Sequence, residues 1–244
     1  MKKVQKALLV LLRAGLWESR IEDLSCFPMS AGEWKNLYLL SRQQTVTGIV
    51  FQGIQHLPEH FLPAEELLVR WMAETDAIER KNIQMNKALE LLVQWFTESG
   101  VQPVLQKGQG IASLYENPLL RECGDIDFYF DSRQMFEKAF SLIRQCGLRG
   151  KVQADQSVTY AWKGVEVEHH TCLLDLHNPF LQRYAKELEQ QYGYNHMRLE
   201  GGLDVRIPSP VLNLLLQSLH ILKHALGWGI GLRQLCDMAR SCYK

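Results

Sequence analysis

The chain has 244 residues, 46% of them hydrophobic, enough to bury one sizeable core or a core with a helical lobe. Lys+Arg and Asp+Glu both number 27, so no global basic field draws the protein to nucleic acid, and a polymerase-like role is disfavoured. No apolar run reaches the ~20 residues of a membrane span, and the 6 cysteines, with no Cys-x-x-Cys pair and no zinc spacing, suit free thiols in a reducing cytoplasm.

Lys2-Lys3 followed by the apolar stretch Ala7 to Leu12 has the outline of a secretory signal, but Arg13 interrupts it and no small-residue cleavage site follows. It therefore reads as an amphipathic first helix ending near Arg13 or Gly15. A second helix, containing Trp34, is expected over residues 33–57, and a long third one from Ala64 into Gly100. In the third, Leu67, Leu68, Trp71, Ile78, Met85, Leu89, Leu92, Val93 and Phe96 recur at helical spacing, which marks a core stripe rather than a cofactor box. Asp76, Arg80 and Asn86 on this helix read as a solvated face.

Residues 101–106 then read as a short strand ending at Lys107-Gly108, with a helix from Gln109 to about Tyr115. Strand, glycine and helix start together form a phosphate-binding geometry: glycine lets the backbone approach an anion, and the free N–H groups of a helix N-terminus point at it. The run Arg121-Glu122-Cys123-Gly124-Asp125-Ile126-Asp127-Phe128-Tyr129-Phe130 follows. As a strand, it sends Asp125, Asp127 and Tyr129 one way and Ile126, Phe128 and Phe130 into a core. Two acids at fixed spacing on a rigid element can hold two Mg²⁺ ions (or Mn²⁺), roughly 3.5–4 Å apart, that share oxygens with substrate phosphates. An Asp-x-Asp by itself is common in solvated turns; the glycine and helix start upstream give this one weight. Cys123 beside it reads as packing rather than as a nucleophile.

A helix is expected over residues 132–146, then strands over 148–154, 158–162 and 165–171 forming a meander beside the Asp strand. In the last of these, alternation puts Val165, Val167 and His169 on one face and Glu166, Glu168 and His170 on the other. Two metals need more oxygen ligands than one Asp pair supplies, and Glu168 is the first choice for a third acid, with Glu166 and Asp175 as fallbacks. Alternation alone fits equally well with two glutamates lining a wet sheet face. A helix over 179–191 and a hairpin over 196–207, turning at Gly201-Gly202, follow. After Pro208-Ser209-Pro210 the chain restarts as helix, with Leu212, Leu215, Leu219 and Leu222 at core spacing. His220 and His224 have a chelating i,i+4 spacing but no intervening acid or third ligand, so they read as ordinary polar positions. Arg233 and Asp237, also four apart, are expected to pair.

The order Lys107-Gly108, Tyr115, Pro118, Arg121, Gly124-Asp125-Ile126-Asp127, Glu168-His169 and Leu232-Arg233-Gln234-Leu235-Cys236-Asp237 resembles the uncharacterised bacterial nucleotidyltransferase family of the DNA polymerase beta superfold. The resemblance implies an α+β fold: a polymerase-beta-like nucleotidyltransferase core with a small mixed sheet, flanked by helical regions. The organisation expected is an N-terminal helical region over 1–99, an α/β core over 100–207 and a C-terminal helical region over 208–244. The last stops inside a continuing helix where family members usually run on, so a truncated chain or a short member is expected. Lys107-Gly108 stands where many superfamily members have Gly-Gly or Gly-Ser.

The resemblance implies transfer of a nucleoside monophosphate from an NTP, ATP first among them, to a small-molecule or protein acceptor other than nucleic acid, with release of pyrophosphate. Asp125, Asp127 and Glu168 would be the catalytic metal ligands, and Glu168 could instead be the base for the acceptor. Lys107, Gly108, Arg121 and Gly124 would contact the nucleotide. Arg121 offers a fork of donors that matches phosphate, although pairing with an acid such as Glu122 fits it equally. The C-terminal helical region would lie near the nucleotide, bringing His220 or His224 to base or phosphate. Two alternatives remain: another phosphoryl-transfer enzyme on the same scaffold, and a non-catalytic nucleotide-binding or partner-binding protein.

Overall fold

The computed structural model describes residues 2–176, 178–227 and 229–243. Helix α1 (Lys3–Trp17) runs two residues past its expected end and packs on α2 (Ala31–Gln43) and α3 (Thr47–Ile54). The single helix expected over 33–57 is broken. Helix α2 starts early through a capping box, in which Ser30 N–H donates to Glu33 Oε2 at 2.7 Å and Glu33 N–H donates to Ser30 Oγ at 3.3 Å. It stops at Gln43, because Thr45 takes a left-handed φ of 52° that no helix continues through. The reversal lets α3 lie against α1 at backbone contact: a Cβ on Gly15 would sit 1.8 Å from Ile49 O, and one on Gly53 1.9 Å from Leu11 O. An apolar periodicity unbroken across the bend conceals it.

Helix α4 (Glu65–Glu98) has 34 residues and is the spine of the molecule. Its first half closes the N-terminal core through buried Trp71, whose indole N–H donates to Thr47 O at 3.0 Å. Its second half, from Met85 to Phe96, lies on the sheet. The strands are β1 (Val104–Gln106), β2 (Ile126–Tyr129), β3 (Lys151–Val152), β4 (Val158–Trp162), β5 (Val165–His170), β6 (Tyr194–Arg198) and β7 (Asp204–Pro208). Among the described residues they form one mixed sheet of seven strands in the order β3-β4-β5-β2-β1-β7-β6. The expected meander stands beside the Asp strand, with β5 parallel to β2 and antiparallel to β4. The 194–208 hairpin extends the same sheet on its far side, where β7 runs parallel to β1.

Alternation along β2 divides the two faces. Ile126 and Phe128 join Phe96 of α4 and Ala139 and Ile143 of α6 (Arg133–Gln145) in one core. Tyr129 points to the other face, with Val104, Ala185 of α7 (Pro179–Tyr192) and Leu212 and Leu216 of α8 (Pro210–Gly227). Helix α9 (Leu232–Tyr243) packs on α8 and on α5 (Gly108–Ala112). Among the described residues no helix is long and apolar enough to cross a membrane.

Candidate active site

The parallel register of β2 and β5 sets Asp127 opposite Glu168 and Tyr129 opposite His170. Asp127, Glu168 and His170 therefore project from one sheet face, the last two being two residues apart on β5. His170 Nε2 lies 2.7 Å from Asp127 Oδ1 and 3.7 Å from Glu168 Oε2. One ligand atom from each of the three can be chosen so that all lie within 4.8 Å of one another. Two ligands bound at right angles to a cation at ~2.1 Å stand about 3 Å apart, so this donor set fits a divalent ion with small adjustments. Ser157 Oγ donates to Glu168 Oε1 at 2.6 Å and leaves Oε2 turned to the group. Of the three acids considered for the third ligand, the structure brings Glu168 to Asp127, while Glu166 and Asp175 are exposed and lie outside the cluster.

Asp125 lies just before β2 rather than within it, and Tyr129 is a core residue whose hydroxyl donates to Glu189 Oε1 at 2.7 Å. Lys107 projects its ammonium to 3.6 Å from Asp127 Oδ1. It does so from φ 44°, ψ −139°, a region that residues with a Cβ rarely adopt, and such outliers concentrate at functional sites. Gly108 follows at φ +35°, where a Cβ would meet Asp125 O at 3.2 Å. The helix expected from Gln109 to about Tyr115 is only the five residues of α5, too short for a strong dipole.

Lys107, Gly108, Arg121, Gly124, Asp125, Asp127 and Glu168 all line one polar cavity of about 260 Å³, whose far wall carries His220, His224 and Arg233. A model of a family of uncharacterised nucleotidyltransferases matches residues 30–244. The chain belongs to that nucleotidyltransferase family. No curated protein matches it. Among solved structures, the crystal structure of an antigenic nucleotidyltransferase-like protein from Paracoccidioides brasiliensis is similar over 65% of this chain and 75% of its own, with 15% identity and a TM-score of 0.45.

In this nucleotidyltransferase the two aspartates are electrostatically unlike. Burial, and then the neighbouring Asp127 charge, push the Asp125 carboxyl up to about 6. Burial pulls Asp127 the same way, but the Lys107 ammonium and the hydrogen bond from His170 outweigh it and hold the carboxyl down at about 2. One charged and one reluctant carboxylate share the cavity, an arrangement that a divalent cation would relieve. His220 is pushed down to about 4 by burial, with Lys107 and His224 adding to the effect, so it is a neutral imidazole at neutral pH. Its ring meets that of His224 edge-on at 4.4 Å.

Arg121 takes the second of its two expected roles, pairing with an acid, and the acid is Asp237 rather than Glu122. It is buried, and its fork is held by Asp237, with Nε donating to Oδ1 at 2.7 Å and Nη2 to Oδ2 at 2.8 Å. Tyr115 OH donates to the same Oδ1 at 2.6 Å. The expected Arg233–Asp237 pairing does not form, because Asp237 of α9 is engaged by Arg121 in the loop before β2. Arg233 instead donates from Nη1 to Glu122 O at 2.7 Å, while its Nε is buried without a protein partner beside the cavity. Asn82 of α4 fixes the same loop by donating to Leu119 O at 2.6 Å and Arg121 O at 2.8 Å. His169, next to the site in sequence, is fully buried on the opposite sheet face, bonded to Tyr160, and burial drives its imidazole down to about 3. His170 and Arg233 received no site role in the sequence reading. The alternation that put His170 on the face of Glu168 was signal enough for the first; no local pattern reports the second.

Proposed function

We propose that the protein transfers a nucleoside monophosphate from an NTP, ATP first among candidates, to the hydroxyl of a non-nucleic-acid acceptor. The observation that supports this most strongly is the convergence of Asp127, Glu168 and His170 on one sheet face beside Asp125 and Lys107. Asp127, Glu168 and His170 would hold a divalent ion, with Asp125 completing the acidic side of the cavity for a second. Bound there, such ions supply charge neutralisation for the triphosphate and a lowered proton affinity for the acceptor oxygen.

This chain's own residues supply the rest. Lys107 and Arg233 present cations to the polar cavity, and the free Nε of Arg233 is a donor suited to a phosphate oxygen. Arg121, clamped by Asp237, acts as a rigid wall that keeps Gly124 and Asp125 in place. Gly108 lets the carbonyl of Asp125 lie against its backbone, and Gly124 has open space for close approach of a ligand. In the transfer, the acceptor oxygen attacks the α-phosphorus, the bond from that phosphorus to the oxygen bridging to the β-phosphate breaks, pyrophosphate leaves, and the acceptor's proton is released to water. Catalysis of this kind is mostly positioning and electrostatics, so loss of an acid should cost far more than loss of an outlying cation.

The test is calorimetric titration of a non-hydrolysable ATP analogue, with and without Mg²⁺ or Mn²⁺, on the wild type and on Asp127→Asn. Metal-dependent binding that vanishes in a folded variant is the expected result. Equal binding by both proteins would remove Asp127 from the site.

A further inference from the structure

A second cleft, of about 400 Å³, shares Lys107 and His220 with the polar cavity and is lined also by His170, the neighbour of Asp127. Its floor and walls are leucine: Leu173, Leu174 and Leu216 are buried beneath it, Leu219 lies at the side, and Leu222 and Leu226 form the lip at 53% and 81% exposure. Exposed leucines continuous with a leucine-lined cavity are more than scattered surface apolars. Among the described residues the charged side chains around the cleft balance, Lys107 and Lys223 against Asp155 and Asp175, so their net charge does not favour a polyanion. Among the described residues His170 and His220 supply its rings, and both stand where it joins the transfer site, so the described body of the cleft offers aliphatic contact rather than a stacking platform. One polar group is fixed inside. Gln106, 2% exposed on β1 and opposite Asp127 in register, lines the cleft with an Nε2 that has no partner among the described residues. A buried amide donor left without a partner is costly, and a ligand oxygen would satisfy it.

We infer that this cleft seats the acceptor, and that the acceptor is an uncharged, largely aliphatic molecule with a hydroxyl at its leading end. The apolar body would lie along the leucines. The hydroxyl would pass Gln106 to reach Asp127 and His170, where its oxygen forms the new bond to the α-phosphorus. The inference rests on the reading of Asp127 as the transfer site. It adds to that reading a division of labour: the polar cavity with its acidic cluster for the metal-bound triphosphate, the leucine-lined cleft for the acceptor.

The test uses n-butanol, n-hexanol and n-octanol as probes of the cleft, on the full chain carrying labelled leucine methyl groups, with a non-hydrolysable ATP analogue and Mn²⁺-free Mg²⁺ buffer. Octanol should shift the methyl resonances of Leu174, Leu216 and Leu219 saturably, and affinity should rise roughly fourfold per added methylene as apolar surface is buried. Leu222→Glu with Leu226→Glu, two lip positions whose exposure spares the core, should weaken octanol at least fivefold and leave the nucleotide affinity unchanged. Gln106→Leu should reduce the preference for octanol over octane. Octanol that displaces the ATP analogue would overturn the inference by making the cleft the seat of the base, and shifts spread over surface leucines at random would overturn it as well. Failure of the ATP analogue to bind, with octanol still seated at these leucines, would instead count against the transfer reading.

Discussion

Replacing Asp125 with asparagine should make the metal-free protein more stable while abolishing what the site does with metal. In the folded chain the Asp125 carboxyl titrates at about 6, against 3.8 when unperturbed. A carboxyl raised in this way contributes stability that is fully present below the unfolded value and lost as pH rises through the folded one. The shift of roughly 2 units corresponds to about 3 kcal/mol, and partial solvent access to the side chain reduces this to about 2 kcal/mol. Asp127 does not confuse the measurement: its depressed carboxyl, at about 2, contributes stability above 3.8 that is lost only as pH falls through the folded value. Thermal unfolding of the two proteins in chelator should therefore coincide near pH 4 and separate at pH 8, with Asp125→Asn the higher by about 4–8 °C for a chain of this size. Adding Mn²⁺ at a hundred times its Kd should raise the wild type by about 2.7 kcal/mol and the variant by much less. A variant no more stable than wild type at pH 8 in chelator would show that Asp125 is solvated and not in electrostatic conflict with Asp127, and the argument for a shared cation would lose its main physical support.

Three further outcomes follow from the geometry. If His170 Nε2 is a ligand, Mn²⁺ bound to untagged protein should show nitrogen coupling in pulsed electron paramagnetic resonance; the coupling should disappear in His170→Gln and persist in His220→Gln, and its persistence in His170→Gln would make His170 only a hydrogen-bond partner of Asp127. Asp237→Asn leaves the buried Arg121 guanidinium without its counter-charge and should lower the urea-derived unfolding free energy by about 3 kcal/mol, since breaking a buried pair strands one charge; a loss under about 1 kcal/mol would mean that the loop relaxes to solvate the arginine. Arg233→Gln should weaken the ATP analogue about tenfold, in the range of one charge-assisted hydrogen bond, with little change in unfolding temperature, and unaltered affinity would place the triphosphate elsewhere.

Much of the candidate site's geometry was legible because its determinants are local. Alternation in 125–130 and 165–170 fixed which side chains share a face, and a parallel pairing of β2 with β5 then had to bring Asp127 and Glu168 together. The core stripe of α4 was likewise a matter of periodicity. The partners of Arg121 and Arg233 were not legible, because they depend on how α9 docks against a loop more than 110 residues earlier. Charge spacing at i,i+4 favoured an Arg233–Asp237 pair that is worth only a few tenths of a kcal/mol on an exposed helix. The buried bidentate pair with Arg121 satisfies more donors and displaces it. The bend at Thr45 was hidden for a related reason: α2 and α3 bury residues on both sides of the reversal, so their apolar pattern runs on where the backbone does not.

The strained Lys107 backbone ties these observations together. A glycine at 107 would adopt φ 44°, ψ −139° without penalty, and holding a lysine there costs on the order of 1–3 kcal/mol. What the chain gains from the lysine is an ammonium 3.6 Å from Asp127, at the junction of the polar cavity and the leucine-lined cleft. On the proposed reading, that position suits a cation serving both substrates at the point of transfer better than one gripping the far end of a triphosphate. Substitution by glycine should then raise the stability of the metal-free protein less than strain relief alone would, because the lost ion pair with Asp127 offsets part of it. The same change should depress turnover more than nucleotide binding. A Lys107→Gly variant with weakened nucleotide affinity and normal turnover at saturation would reverse that assignment and make Lys107 a plain triphosphate contact.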